Sequence, residues 1–106
     1  MGHYLIRASY TREGIQGVLR DGGSGRAAAV KALVESVGGR LVCAYWALGE
    51  DDFIGIAELP DNTAAAAMAA TVGASGGASV TTTVLLTAEE VDAAVRLHPS
   101  YRAPGA

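Results

Sequence analysis

The chain is poor in the residues that cross-link, ligate and fill. A single cysteine, Cys43, in 106 residues excludes an intramolecular disulfide framework and every multi-cysteine metal site, a usage that suits a reducing cytoplasm. The two histidines, His3 and His98, lie near opposite ends with no HxH, HxxxH or His/Cys spacing, so no metal site is read. Charge of neither sign dominates: 8 Lys and Arg stand against 11 Asp and Glu, a net charge of -3. That balance excludes a broad phosphate-tracking surface, and nucleic acid is not expected as a partner. Neither a strand-linked GxGxxG nor a GxxxxGK[ST] is present, so no nucleotide fold is supported. Long apolar runs are missing too. Asn62 to Ala88 is uncharged, but Gly73, Gly76 and Gly77 interrupt it and Thr81-Thr82-Thr83 follow, which fails the requirement for about 20 strongly apolar residues in a membrane span. The opening Met1-Gly2-His3-Tyr4-Leu5-Ile6 lacks a secretory apolar run and cleavage site, and Ile6 stands where myristoylation wants Ser or Thr. A cytoplasmic protein with no membrane partner is expected.

What is present is a core-forming chain. Half of the residues are apolar, although only one Phe and one Trp are among them, so the core relies on alanine and close backbone approach. His3 to Ser9 alternates with Tyr4, Ile6 and Ala8 on one side, the period of a strand. Thr11 can cap a helix from about Tyr10 to Arg20, Gly22-Gly23-Ser24-Gly25 interrupts it, and Ala27, Val30, Leu33, Val34 and Val37 supply the stripe of its continuation to Gly38-Gly39. Leu41 to Leu48 and Phe53 to Leu59 are apolar strands joined by the short polar turn Gly49-Glu50-Asp51-Asp52, which suits a hairpin. Asp61 or Asn62 can cap an alanine-rich helix from Thr63 to Val72, and Gly73 to Gly77 leads to a strand from Ser79 to Leu86. A last helix, Thr87 to about Leu97, opens with the capping box Thr87, Ala88, Glu89, Glu90 and ends before Pro99.

The order strand, helix, strand, strand, helix, strand predicts an α+β, ferredoxin-like split β-α-β sheet (β-α-β-β-α-β) with two helices on one face and a C-terminal helical extension. Residues 1–98 are expected to form one domain and 99–106 a flexible tail. The strand from Leu41 would place Leu41, Cys43, Tyr45 and Ala47 on one side and Val42, Ala44, Trp46 and Leu48 on the other, apolar on both. An apolar face turned away from the helices predicts a partner sheet, most simply from a second copy.

The segments Tyr10-Thr11-Arg12-Glu13-Gly14-Ile15, Gly38-Gly39, Tyr45-Trp46-Ala47-Leu48-Gly49-Glu50-Asp51-Asp52 and Glu58-Leu59-Pro60-Asp61 resemble the GYD domain family of small bacterial proteins. The resemblance spans residues 3 to about 92. Gly49 and Asp52 fall on the family's glycine and aspartate, while Asp51 occupies its tyrosine position. The resemblance implies a dimeric α+β barrel, in which two ferredoxin-like subunits pack sheet against sheet, and a homodimer, without carrying an activity.

Candidate residues follow from chemistry. Tyr10, Arg12, Tyr45 and Trp46 supply aromatic contact area and a fixed cationic fork for a small aromatic or anionic molecule; equally, Tyr45 or Trp46 fills the interface or core. Asp51 and Asp52, with Glu50 before them, could hold a divalent cation or supply a general base, against the alternative of a solvated turn; Asp52 at the strand mouth is the better candidate as a pocket-rim group. His3 would line the barrel or sit at its rim. Gly22-Gly23-Ser24-Gly25-Arg26 before a helix is an anion-binding possibility or a flexible loop, and Cys43 reads as an inert thiol. Three functions are weighed: a small-molecule-binding or sensory barrel; a cofactor-independent monooxygenase-like or isomerase-like enzyme; and a structural interaction module in which the barrel serves only assembly. No cofactor is implied, and no catalytic residue is assigned.

Overall fold

A computed structural model describes residues 1–106. The elements run β1 (Gly2–Tyr10), α1 (Arg12–Ser36), β2 (Arg40–Trp46), β3 (Phe53–Leu59), α2 (Asn62–Ser75), β4 (Ala78–Leu85) and α3 (Ala88–Val95). Each helix starts where a short polar side chain satisfies free backbone N–H groups. Thr11 accepts from the Gly14 N–H, Asp61 from the Ala64 N–H, and Thr87 and Glu90 form the reciprocal capping box. The glycines bend α1 at Gly22, which alone within it leaves helical geometry (φ 71°, ψ 174°). α2 runs past Gly73 and stops at Gly76, whose left-handed φ of 76° provides the helix end.

The four strands form one antiparallel sheet in the order β2-β3-β1-β4. β1 and β3 are central, and their residues alternate between buried and half-buried along most of their length. Tyr4, Ile6 and Ala8 of β1 and Phe53, Ala57 and Leu59 of β3 are buried against Val34 of α1 and Ala65 and Met68 of α2. The expected element order and C-terminal helix are therefore present.

The barrel is not. β2 and β4 are the two free edges of an open sheet, so the dimeric α+β barrel implied by the resemblance is corrected to an open four-stranded sheet with helices on one face. A second correction concerns β2. Leu41 pairs with Ala57 but Cys43 pairs with Ile56, so a bulge absorbs Val42. The extra residue breaks strict alternation. Leu41 consequently packs against the core, whereas Cys43 and Tyr45 share the other face with Ile56 and Ile54.

The third feature is shape. α3 packs extensively on no other element, and every residue from Leu86 to Ala106 is exposed. The radius of gyration is 16.9 Å, where a compact chain of this length has roughly 13 Å. The solvent-accessible surface is 7064 Å², against about 5,500 Å² for a compact monomer of this mass.

Candidate functional site: the uncovered sheet face

The face of the sheet turned away from α1 and α2 is built by the odd residues of β1, the even residues of β3 and the matching residues of the edges. Register sets them in rows. Leu5 lies between Ile56 and Thr83, with Cys43 beyond Ile56. Arg7 lies between Ile54 and Thr81, with Tyr45 beyond Ile54. His3 lies between Glu58 and Leu85, with Arg40 beyond Glu58. The result is an apolar centre of Leu5, Ile54 and Ile56, each half-buried by its neighbours and covered by no element, with Tyr45 at its edge 68% exposed.

Charges frame this centre at both ends. At one end the Arg40 guanidinium donates to both oxygens of Glu58, Nη2 to Oε1 at 3.0 Å and Nε to Oε2 at 3.3 Å. His3 Nε2 stands 3.2 Å from the same Oε1. The Arg40 hydrogen bonds, aided by the charge of Arg40 and by His3, hold the Glu58 carboxyl below its ordinary range despite partial desolvation. At the other end Arg7 Nη1 is 3.8 Å from Asp51 Oδ2, and Arg7 Nε is buried without a hydrogen-bond partner.

The acidic turn is tied down rather than open. Asp52 donates its N–H to the Ala8 carbonyl (2.9 Å), accepts the Ala47 N–H on its own carbonyl (2.8 Å) and accepts the Tyr10 N–H on its carboxylate (2.8 Å). These bonds explain why an aspartate stands there: its carboxylate satisfies the last donor of β1. No group of three or more His, Cys, Asp or Glu converges to hold a metal ion.

The six residues singled out from sequence are dispersed. His3 and Tyr45 are on the uncovered face, in different rows. Trp46 is on the helix side, its ring edge-on to Phe53 at 5.4 Å and 75°. Tyr10 ends β1 on that same side, and Arg12 is exposed at the start of α1. Asp52 meets only the Tyr10 backbone among them. The consecutive aromatics do face opposite sides, as a strand requires. Arg7, Arg40 and Glu58 were missed. Their charges stand in largely apolar strands, and that the three share one face is legible only once the pairing register and the bulge in β2 are known.

A cavity of about 100 Å³ lies on the other side of the sheet, between it and the two helices. Ile6, Leu33, Phe53, Met68 and Val80 are among its mainly apolar walls, with Tyr10, Thr82 and Arg26 as polar members. It arises because alanines of α2 and α1 reach a short way toward the sheet. Tyr10 and Arg26 also border an open polar groove with Arg20 and Asp21, and Arg26 lies 3.8 Å from Asp21.

The model of the GYD domain matches residues 4–95. The chain belongs to the GYD domain family. No curated protein and no solved structure matches this GYD domain. Membership agrees with the resemblance carried by the Tyr10 and Tyr45–Asp52 segments; the barrel attached to that resemblance does not survive the open sheet. All three functional readings made from the sequence relied on that barrel, as a ligand or sensory chamber, as an enzyme interior or as a pure assembly device, and they are corrected with it. No helix of the GYD domain is long and apolar enough to cross a membrane.

Proposed function

We propose that this GYD domain works as a homodimer whose subunits join through the uncovered sheet face. The observation that carries the reading is the apolar centre of Leu5, Ile54 and Ile56 with no element packed over it; the chain also exposes 7064 Å², about 1,500 Å² more than a compact monomer of its mass. If each copy hid that excess, a dimer would bury about 3,000 Å², within the range of obligate homodimers. The Leu5, Ile54 and Ile56 centre supplies the desolvated middle of such an interface, and Arg7, Arg40, His3 and Glu58 supply a polar rim. The lone, unpaired Cys43 supports a reducing compartment, the cytoplasm.

Ile56→Lys tests the reading. Ile56 has apolar neighbours on both sides, so the monomer keeps its fold with the ammonium reaching water, while a dimer would have to bury it. The dissociation constant is expected to rise at least about tenfold, equivalent to about 1.4 kcal/mol. An unchanged constant removes this face from the interface.

A second reading concerns a small aromatic or anionic molecule. The contiguity of the apolar cavity with the Arg20 and Arg26 groove at Tyr10 supports a single-ring carboxylate, its ring in the cavity and its charge at Arg26. Benzoate titrated into the labelled protein should shift the Tyr10, Leu33 and Met68 resonances saturably. Shifts that grow linearly, or a response unchanged in Arg26→Gln, contradict this placement.

A further inference from the structure

α3 is a complete helix with nothing to lean on. It has its own capping box and a left-handed residue, His98 (φ 46°), beyond its end. Yet it is only eight residues long, and an isolated helix below about 12 residues is marginal in water. Its composition is two-sided. Ala88, Val91 and Val95 fall on one face by their spacing, Asp92 borders that face and Glu89 lies off it. Val91 is 47% and Val95 63% exposed, and the flanking Leu86 and Leu97 are 62% and 79% exposed. The arm leaves from the edge of the sheet where Leu85, paired with His3, is the last residue of β4 and lies on the uncovered face.

We propose that residues 86–97 form an exchanged arm, with the apolar stripe of α3 lying against the body of the second copy instead of its own. The inference rests on the homodimer reading and deepens it by assigning the part of the surface excess that the sheet face does not supply. The position of Leu85 on the uncovered face at the end of edge strand β4 places the arm at the margin of the same interface. A helix that its own chain leaves bare is thereby buried, and the elongated 58 × 32 × 24 Å outline becomes that of half an assembly.

The test is Val91→Asp/Val95→Asp in the full chain, compared with wild type by sedimentation over a dilution series. Because every residue of α3 is exposed in its own chain, the variant's sheet and core should keep the wild-type far-ultraviolet spectrum, and its dimer constant should weaken by tenfold or more. A dimeric wild type with an equally tight variant overturns the arm and leaves the sheet-face dimer standing. A monomeric wild type overturns both. Hydrogen exchange gives a readout independent of the variant: in wild type the amides of residues 91–95 should be protected at concentrations where the dimer forms and lose protection on dilution. Equal protection at all concentrations would mean that the arm is held within its own chain, and the inference falls.

Discussion

Two glycines one helical turn apart in α1 should respond to alanine in opposite directions. A Cβ placed at Gly14 would collide with the Gly77 carbonyl oxygen, far inside ordinary van der Waals contact. Relief requires the start of α1 to move away from the turn between α2 and β4. Two bonds cross that junction, from the Thr11 N–H to the Gly77 carbonyl at 3.0 Å and from the Thr11 hydroxyl to the Gly76 carbonyl at 2.7 Å. Each contributes about 1 kcal/mol, and forced overpacking adds about 1–3 kcal/mol. Alanine's better helix propensity returns at most about 1 kcal/mol. Gly14→Ala is therefore expected to destabilise by about 2–4 kcal/mol, a drop in Tm of roughly 8–16 °C. A Cβ at Gly17 meets nothing nearer than Arg20 Nη2 at 3.7 Å, so Gly17→Ala should stabilise by about 0.5–1 kcal/mol. Thermal and urea unfolding at equal protomer concentration compare the pair. A Gly14→Ala protein as stable as wild type would refute the close approach of α1 to Gly77.

Other outcomes follow from single contacts. Tyr4 is buried and its hydroxyl donates to Asn62 Oδ1 at 2.7 Å, so Tyr4→Phe should cost about 1 kcal/mol in urea unfolding with an unchanged slope. In Arg40→Gln the Glu58 carboxyl should titrate higher than in wild type by carbon-detected NMR, since Arg40 is the main cause of its lowered pKa. The sign for stability is that of a depressed acid: its contribution is complete above the unfolded pKa, near 4.5, and is lost as pH falls through the lower folded value. Glu58→Gln should accordingly flatten part of the acid limb of the stability profile; an identical limb in both proteins would show that this cluster does not contribute to it.

Local structure was legible wherever a few neighbouring residues decide it. Thr11, Asp61 and the Thr87/Glu90 box mark helix starts because capping depends on side chains within one turn. The alternation of Tyr4, Ile6 and Ala8 marks the buried face of β1 for the same reason. What escaped depended on pairing or on the whole chain. The Val42 bulge changes the face of Leu41, and nothing in an unbroken apolar run distinguishes a bulged residue from a paired one. The cluster of His3, Glu58 and Arg40 draws on three strands and exists only in one register. An acid at a strand mouth suits both catalysis and backbone satisfaction; the bond from the Tyr10 N–H to the Asp52 carboxylate joins residues 42 apart and is invisible in the local sequence. The barrel was inferred from family likeness, and curvature and closure are properties of a whole sheet, which no segment encodes.

The account turns on whether the GYD domain associates with itself, and sedimentation equilibrium of the full-length wild type at micromolar concentration addresses that most directly. It should return twice the 10.7 kDa chain mass, with dissociation only on strong dilution. A single species of 10.7 kDa at every concentration would contradict the account, leaving Leu5, Ile54, Ile56 and the α3 stripe exposed to water in the working protein.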